Sequence, residues 1–172
     1  DDLRFAHMGL IAKAIEKYVK KGVNGIIIGM GTDNLAVGAA ALSFVVEKSP
    51  VPIILVGAQR SSDRGSSDAG MNLICAAEFV TKADFGGVAM CMHEQSDDKS
   101  CVILPACKTY KLHSSRRDAF KAVNDTPLAR INYADRAITF LRKEYTRRAD
   151  KLILKPKMEE KVGLLKIHVN MF

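Results

Sequence analysis

The chain has 172 residues and a mass of 18.8 kDa, with 48% hydrophobic and 26% charged residues. That is room for one domain, or one domain and the start of a second, and it excludes a disordered tail and a collagen-like chain. The formal net charge of +7 is unevenly placed: residues 1–100 hold 10 Lys+Arg against 12 Asp+Glu, and residues 101–172 hold 16 against 7.

Along the chain, Leu3, Met8, Ile11, Ala14, Ile15 and Tyr18 recur at helical spacing with lysines opposite. The period predicts a helix over 3–20, stopped by Gly22. Residues 23–28 are a short Ile-rich run, suited to a parallel strand buried on both faces. The run empties into Gly29-Met30-Gly31-Thr32-Asp33-Asn34, after which an apolar helix is expected over 35–48. Pro50 and Pro52 bracket a turn into a second buried strand at 53–56, and a polar loop covers 59–67. Ser67 or Asp68 would cap a third helix reaching about residue 82. A strand is expected at 86–92, and Ser96-Asp97-Asp98-Lys99-Ser100 reads as a hairpin turn into a strand at 101–104.

Beyond that point the pattern changes. Residues 109–132 read as loop-rich, 136–148 as a short helix or linker, and 162–169 as a fresh strand. Strands alternating with helices predict an α/β fold, a parallel sheet flanked by helices. The expected organisation is a partial catalytic domain at 1–135, a basic linker at 136–160 and the start of a second domain at 161–172. The chain opens on Asp1-Asp2 without Met, so it is expected to be a piece of a longer product, truncated at its N-terminus.

No apolar run approaches the ~20 residues that span a bilayer, and no basic-then-apolar leader is present. The expectation is a soluble, cytoplasmic protein with no membrane partner. Four cysteines in a chain this long are read as reduced thiols, several packed as small hydrophobes. The basic second half fits a polyanion such as RNA, an acidic partner surface, or only a solvated linker. Trp is absent and aromatics are 6%, so no RNA-binding motif with interleaved aromatics appears.

Three loops carry residues with chemical potential, because α/β sheets bind ligands at the carboxyl ends of their strands. In Gly29–Asn34 the glycines allow close backbone approach, and amides near Gly31 at a helix start would favour an anion or an oxyanion. Asn34 replaces the third glycine of a dinucleotide fingerprint, and no Walker lysine follows. Thr32 and Asp33 are then either an N-cap pair or a hydroxyl and carboxylate poised for catalysis. The loop Gly57-Ala58-Gln59-Arg60, continuing to Ser66, Ser67, Asp68 and Asn72, forms a pocket wall or ordinary turns and caps. The third loop holds Lys111, His113, Ser114, Arg116 and Arg117; Lys111 matters if folding brings it against Asp33. Cys91, His93, Cys101 and Cys107 match no standard zinc spacing, so no metal site is expected. His7 and His168 stand alone.

These loops, in this order, resemble the bacterial-type L-asparaginase family. The likeness is carried by Gly31-Thr32-Asp33-Asn34 with Ala39-Ala40-Ala41-Leu42-Ser43-Phe44. It continues in Pro52-Ile53-Ile54-Leu55-Val56-Gly57-Ala58-Gln59-Arg60 and Ser67-Asp68-Ala69-Gly70-Met71-Asn72-Leu73, then in the segment from Lys111 to Asn124. Within the family, Gln59 to Arg64 and Ser114 to Phe120 resemble the branch formed by D subunits of archaeal glutamyl-tRNA(Gln) amidotransferases. The resemblance implies a Rossmann- or flavodoxin-like α/β domain that hydrolyses a side-chain amide. It implies that Lys111 acts as base through Thr32 while Asp33 orients the lysine, with Gly31 and Ala58 as substrate-binding positions.

The narrower likeness implies glutaminase activity and a partner E subunit that uses the ammonia to make Gln-tRNA(Gln). ATP and magnesium would belong to that partner, with no cofactor in this chain, a homodimer is expected, and tRNA(Gln) would be met through the complex. The family's first threonine loop and substrate-gripping serine would precede Asp1, so the chain alone is expected to be inactive. Met30 and Asn34 stand where the family has histidine and threonine. The alternatives are a free-standing L-asparaginase and a nonenzymatic α/β module that binds a nucleotide or RNA.

Overall fold

A computed structural model describes residues 3–171; the Asp1-Asp2 opening and Phe172 lie outside the described residues. Helix α1 (Phe5–Lys20) buries Met8, Ala12 and Ile15 and leaves its lysines in solvent. Gly22 ends it at φ +79°, a conformation that favours glycine. Next come β1 (Ile26–Gly29), α2 (Thr32–Val45), β2 (Val46–Lys48), β3 (Pro52–Val56), α3 (Ala69–Lys82), β4 (Gly87–His93) and β5 (Ser100–Pro105). A 3-10 turn (Ala106–Lys108) leads to β6 (Thr109–Lys111), β7 (Phe120–Ala122), β8 (Ala129–Asn132), β9 (Ile138–Phe140) and β10 (Ile153–Leu154).

The main sheet has six strands in the order β1-β3-β4-β5-β8-β9. Pairing is parallel for β1, β3 and β4. It is antiparallel for β5, β8 and β9, so the expected parallel sheet is a mixed one. Two helical crossovers return the chain in the same direction, whereas the short 94–99 turn can only reverse it.

Both faces are covered. Ile53, Leu55, Met90 and Met92 pack with Met8, Leu35 and Leu42 from α1 and α2. Their alternates Ile54, Val56, Ala89 and Cys91 pack with Cys75 and Phe79 from α3. Side chains alternate between faces, so two covered faces require an unbroken apolar run. Each large side chain sealed this way contributes about 1.5–3 kcal/mol.

Several boundaries differ from the expectation. Helix α2 begins at Thr32 and not at Leu35, because Gly31 takes the extended N-cap conformation and puts Asp33 in the first turn. Residues 46–48 leave the helix as β2, which pairs with β10. The loop-rich region 109–132 contains the β6–β7 hairpin, with Phe120 fully buried, and also β8. The 136–148 segment forms β9 on β8 and no helix.

The basic run is tied to the body. Arg142 meets Asp125, Arg147 meets Asp84, and Arg148 donates to the carbonyls of Val80 and Ala83. Ordered strands therefore continue past residue 135. At 162–169 no strand forms among the described residues, and Val162, Leu164, Leu165, Ile167 and Val169 are exposed.

Candidate active site

The Met30 amide donates to the Val56 carbonyl at 2.9 Å, holding the first candidate loop beside the end of β3. Gly31 caps α2 with φ −59° and ψ 139°. Thr32 and Asp33 are therefore the first two helical residues, at the carboxyl edge of the parallel strands where such sheets bind ligands. Gly31 is exposed and Ala58 half-buried, in the two loops that converge on Thr32. Gly57 lies between them with no room for a side chain.

Lys111 arrives from the β6–β7 hairpin, where it pairs with buried Phe120. Its Nζ donates to Thr32 Oγ1 at 2.9 Å and to Asp33 Oδ1 at 2.7 Å. The lysine side chain is 17% exposed and the aspartate 79%. The cation is covered while its partner faces water. Lys111 beside Asp33 holds that carboxyl below the usual aspartate range, so Asp33 is an anion at neutral pH. Lys111 Nζ thus bridges the hydroxyl and the carboxylate, within proton-transfer distance of both.

The loop that follows Lys111 is clamped from two sides. Gln59 Nε2 donates to the carbonyls of His113 (3.2 Å) and Arg116 (2.9 Å). On the other side, Arg117 Nη1 meets Asp98 Oδ1 at 2.5 Å. Gln59 is itself set by Asp68, whose fully buried carboxylate accepts from the amides of Gln59 (3.0 Å) and Arg60 (2.9 Å) and from Asn72 Nδ2 (3.1 Å).

Asn72 Nδ2 also donates to Gly57 O at 3.0 Å, so its Oδ1 is the acceptor for His93 Nδ1–H at 2.7 Å. The other nitrogen, His93 Nε2, lies 3.3 Å from Asp98 Oδ1. Asp68 makes no side-chain cap to α3; Ser67 Oγ instead accepts the Ala69 amide. These bonds join positions 54 and 57 residues apart in the case of Gln59. No local pattern announces them.

The remaining candidates are placed elsewhere. His113 Nδ1 accepts from the amides of Ser115 and Arg116, and His7 Nδ1 accepts from the Arg4 amide at the start of α1. Cys75, Cys91 and Cys101 are buried and Cys107 is exposed. A hydrogen bond with Cys101, then burial, push the Cys75 thiol far above its usual range. Among the described residues, no group of three or more His, Cys, Asp or Glu side chains is arranged to hold a metal ion, and no helix is long and apolar enough to cross a membrane.

Residues 1–145 match the family model described as asparaginase, N-terminal. Among curated relatives, the glutamyl-tRNA(Gln) amidotransferase D subunit from Metallosphaera sedula is 42% identical over 158 residues, 92% of this chain and 36% of that protein. The corresponding D subunit of Methanococcus vannielii is 48% identical over 162 residues, 92% of this chain and 38% of that protein. That of Pyrococcus horikoshii is 43% identical over 169 residues, 98% and 38%. The chain thus spans little more than a third of these relatives' length.

Two solved structures share the fold. The thermostable L-asparaginase from Thermococcus kodakarensis superposes with a TM-score of 0.79 at 24% identity, covering 92% of this chain and 44% of that one. L-asparaginase I from Vibrio cholerae gives 0.82 at 24% identity, covering 99% and 49%.

Proposed function

This chain belongs to the asparaginase family, and from that premise we propose that the protein containing it is an amidohydrolase that releases ammonia from glutamine. The observation that carries the reading is Lys111 Nζ within hydrogen-bond reach of both Thr32 and Asp33. In the reactive state the neutral amine of Lys111 takes the Thr32 hydroxyl proton. Thr32 Oγ1 then attacks the carboxamide carbonyl or deprotonates the group that does. The proton leaves with ammonia, and water completes the conversion of glutamine to glutamate. Asp33 holds the lysine in line and stabilises its protonated form. On this reading the backbone amides at the start of α2, near Gly31, supply the donors to the developing oxyanion, a charge that a helix N-terminus favours, and Ala58 contacts the carboxamide.

The identity to amidotransferase D subunits supports a place in transamidation. On this reading an E subunit consumes the ammonia to convert Glu-tRNA(Gln) to Gln-tRNA(Gln) in the cytoplasm. That partner uses ATP and magnesium, this protein pairs as a homodimer, and tRNA(Gln) is met through the complex.

The test is ammonia release from glutamine and from asparagine by the intact protein, with and without Glu-tRNA(Gln) and a candidate E subunit. Lys111→Met is expected to lower release by about 10²–10⁴-fold, the usual worth of a positioned base. Unchanged release would remove Lys111 from the mechanism. Preference for asparagine with no response to Glu-tRNA(Gln) would replace the reading with a free-standing asparaginase.

A further inference from the structure

A cleft of about 560 Å³ opens between the 59–67 loop and the 112–119 loop, lined by Arg60, Ser61, Arg64, Ser115, Arg116 and Arg117 among others. We propose that it binds a phosphate-bearing ligand. Two of its four guanidinium groups are already matched. Arg116 grips Asp118 through Nε and Nη2, each at 2.9 Å, and Arg117 meets Asp98. Arg60 and Arg64 are exposed and have no acidic partner among the described residues.

Their loop is nevertheless built. Asp68 holds the Arg60 amide, Ser67 Oγ donates to the Arg60 carbonyl at 2.8 Å, and the Arg64 amide donates to Ser61 O at 3.0 Å. Ser66 sits in the left-handed region at φ 60°, a conformation uncommon for a serine.

The chemistry selects the ligand class. Two unpaired guanidinium forks beside serine hydroxyls offer many donors to an oxyanion, and Arg matches phosphate oxygens in pairs. A phosphate monoester or pyrophosphate presents more charge and more acceptor oxygens than a carboxylate, an RNA strand presents successive phosphodiesters, and the cleft is far larger than one carboxylate needs. No aromatic side chain among the described residues lines it, so it lacks a base-stacking platform there and recognises the phosphate, not the base. Free phosphate compounds and the phosphodiester backbone of RNA share that chemistry.

The experiment measures binding to the intact protein of a short labelled single-stranded RNA by anisotropy, and of pyrophosphate by calorimetry. Arg60→Ala/Arg64→Ala removes two exposed side chains and leaves the backbone bonds of the loop in place. It is expected to weaken whichever probe binds by about tenfold or more. For RNA it should also flatten the slope of log K against log salt by about 1.4. Lys13→Ala/Lys17→Ala, which removes the same charge from α1, should leave affinity unchanged. RNA binding lost in the arginine variant assigns a phosphodiester source, and pyrophosphate binding alone, likewise lost, assigns a small phosphate compound. Absence of binding by both probes, or equal loss in the lysine control, overturns the site. The readout is binding and not ammonia release, so its failure is separate from that of the amidohydrolase reading.

Discussion

Gly57 and Thr32 meet across the gap between the end of β3 and the start of α2. A Cβ on Gly57 would stand 3.0 Å from Thr32 Cγ2 and 2.9 Å from the Met30 carbonyl oxygen. Neither can yield easily: one belongs to the candidate hydroxyl residue and the other is backbone. Gly57→Ala should therefore push Thr32 out of line with Lys111. Misplacement by a fraction of an ångström to 1 Å reduces turnover by about 10–100-fold, while overpacking lowers stability by about 1–3 kcal/mol. Steady-state ammonia release beside urea denaturation measures both. Wild-type turnover in a folded variant would show that Gly57 does not position Thr32.

Thr32 gives a sharper contrast. Val keeps its shape and removes the hydroxyl; Ser keeps the hydroxyl and removes the methyl. If the Lys111–Thr32 bond of 2.9 Å carries the proton, Thr32→Val should reduce ammonia release by about 10²–10⁴-fold. Thr32→Ser should retain a measurable share. Comparable losses in the two variants would assign Thr32 to packing.

Asp68 acts at a distance. Its buried carboxylate accepts three N–H groups, two from the backbone that sets Gln59 and one from Asn72. Truncation to Ala strands those donors, and each unsatisfied buried group costs about 1–3 kcal/mol. Asp68→Ala is expected to shift the urea midpoint downward and to raise proteolysis within 57–67. An unchanged midpoint would mean that water or a rearranged loop satisfies the amides.

Asp118 supplies a pH test. A hydrogen bond from Arg116, helped by the charge of Lys121 and opposed by burial, holds its carboxyl below the usual aspartate range. A lowered native value means that the stabilisation is complete above the unfolded value, about 3.9. It is lost as pH falls from there through the native value. Asp118→Asn should be less stable at pH 7 by about 1–3 kcal/mol, with its curve converging on that of wild type below about pH 4. Curves that stay parallel through that range would rule out this ion pair as the cause.

The unbroken apolar run of β3 follows from the sequence by itself, because a strand buried on both faces cannot carry a polar alternate. So does the helical stripe of α1. Strand β1 carries the same kind of run as β3 but lies half-buried at the sheet edge, a position that strand order decides. The Gly29–Asn34 and Gln59–Arg60 loops are legible as candidates for a local reason, since each interrupts an apolar pattern with groups that do chemistry; Lys111, in a polar stretch, is singled out by the family resemblance. The β6–β7 hairpin is not legible, since its three-residue strands bury little beyond Phe120 and show no period. The antiparallel half of the sheet likewise depends on strand partners remote in sequence.

Ser67 and Asp68 are both cap candidates because capping is a local habit of serine and aspartate, and Ser67 does accept the Ala69 amide. Only the fold reveals that the Asp68 oxygens turn back to the 59–60 amides. The bonds from Lys111 to Thr32 and Asp33 cross 79 and 78 residues. Sequence spacing constrains contacts within a helix or a turn, while contacts across a sheet are decided by which strands pair and which loops share an edge.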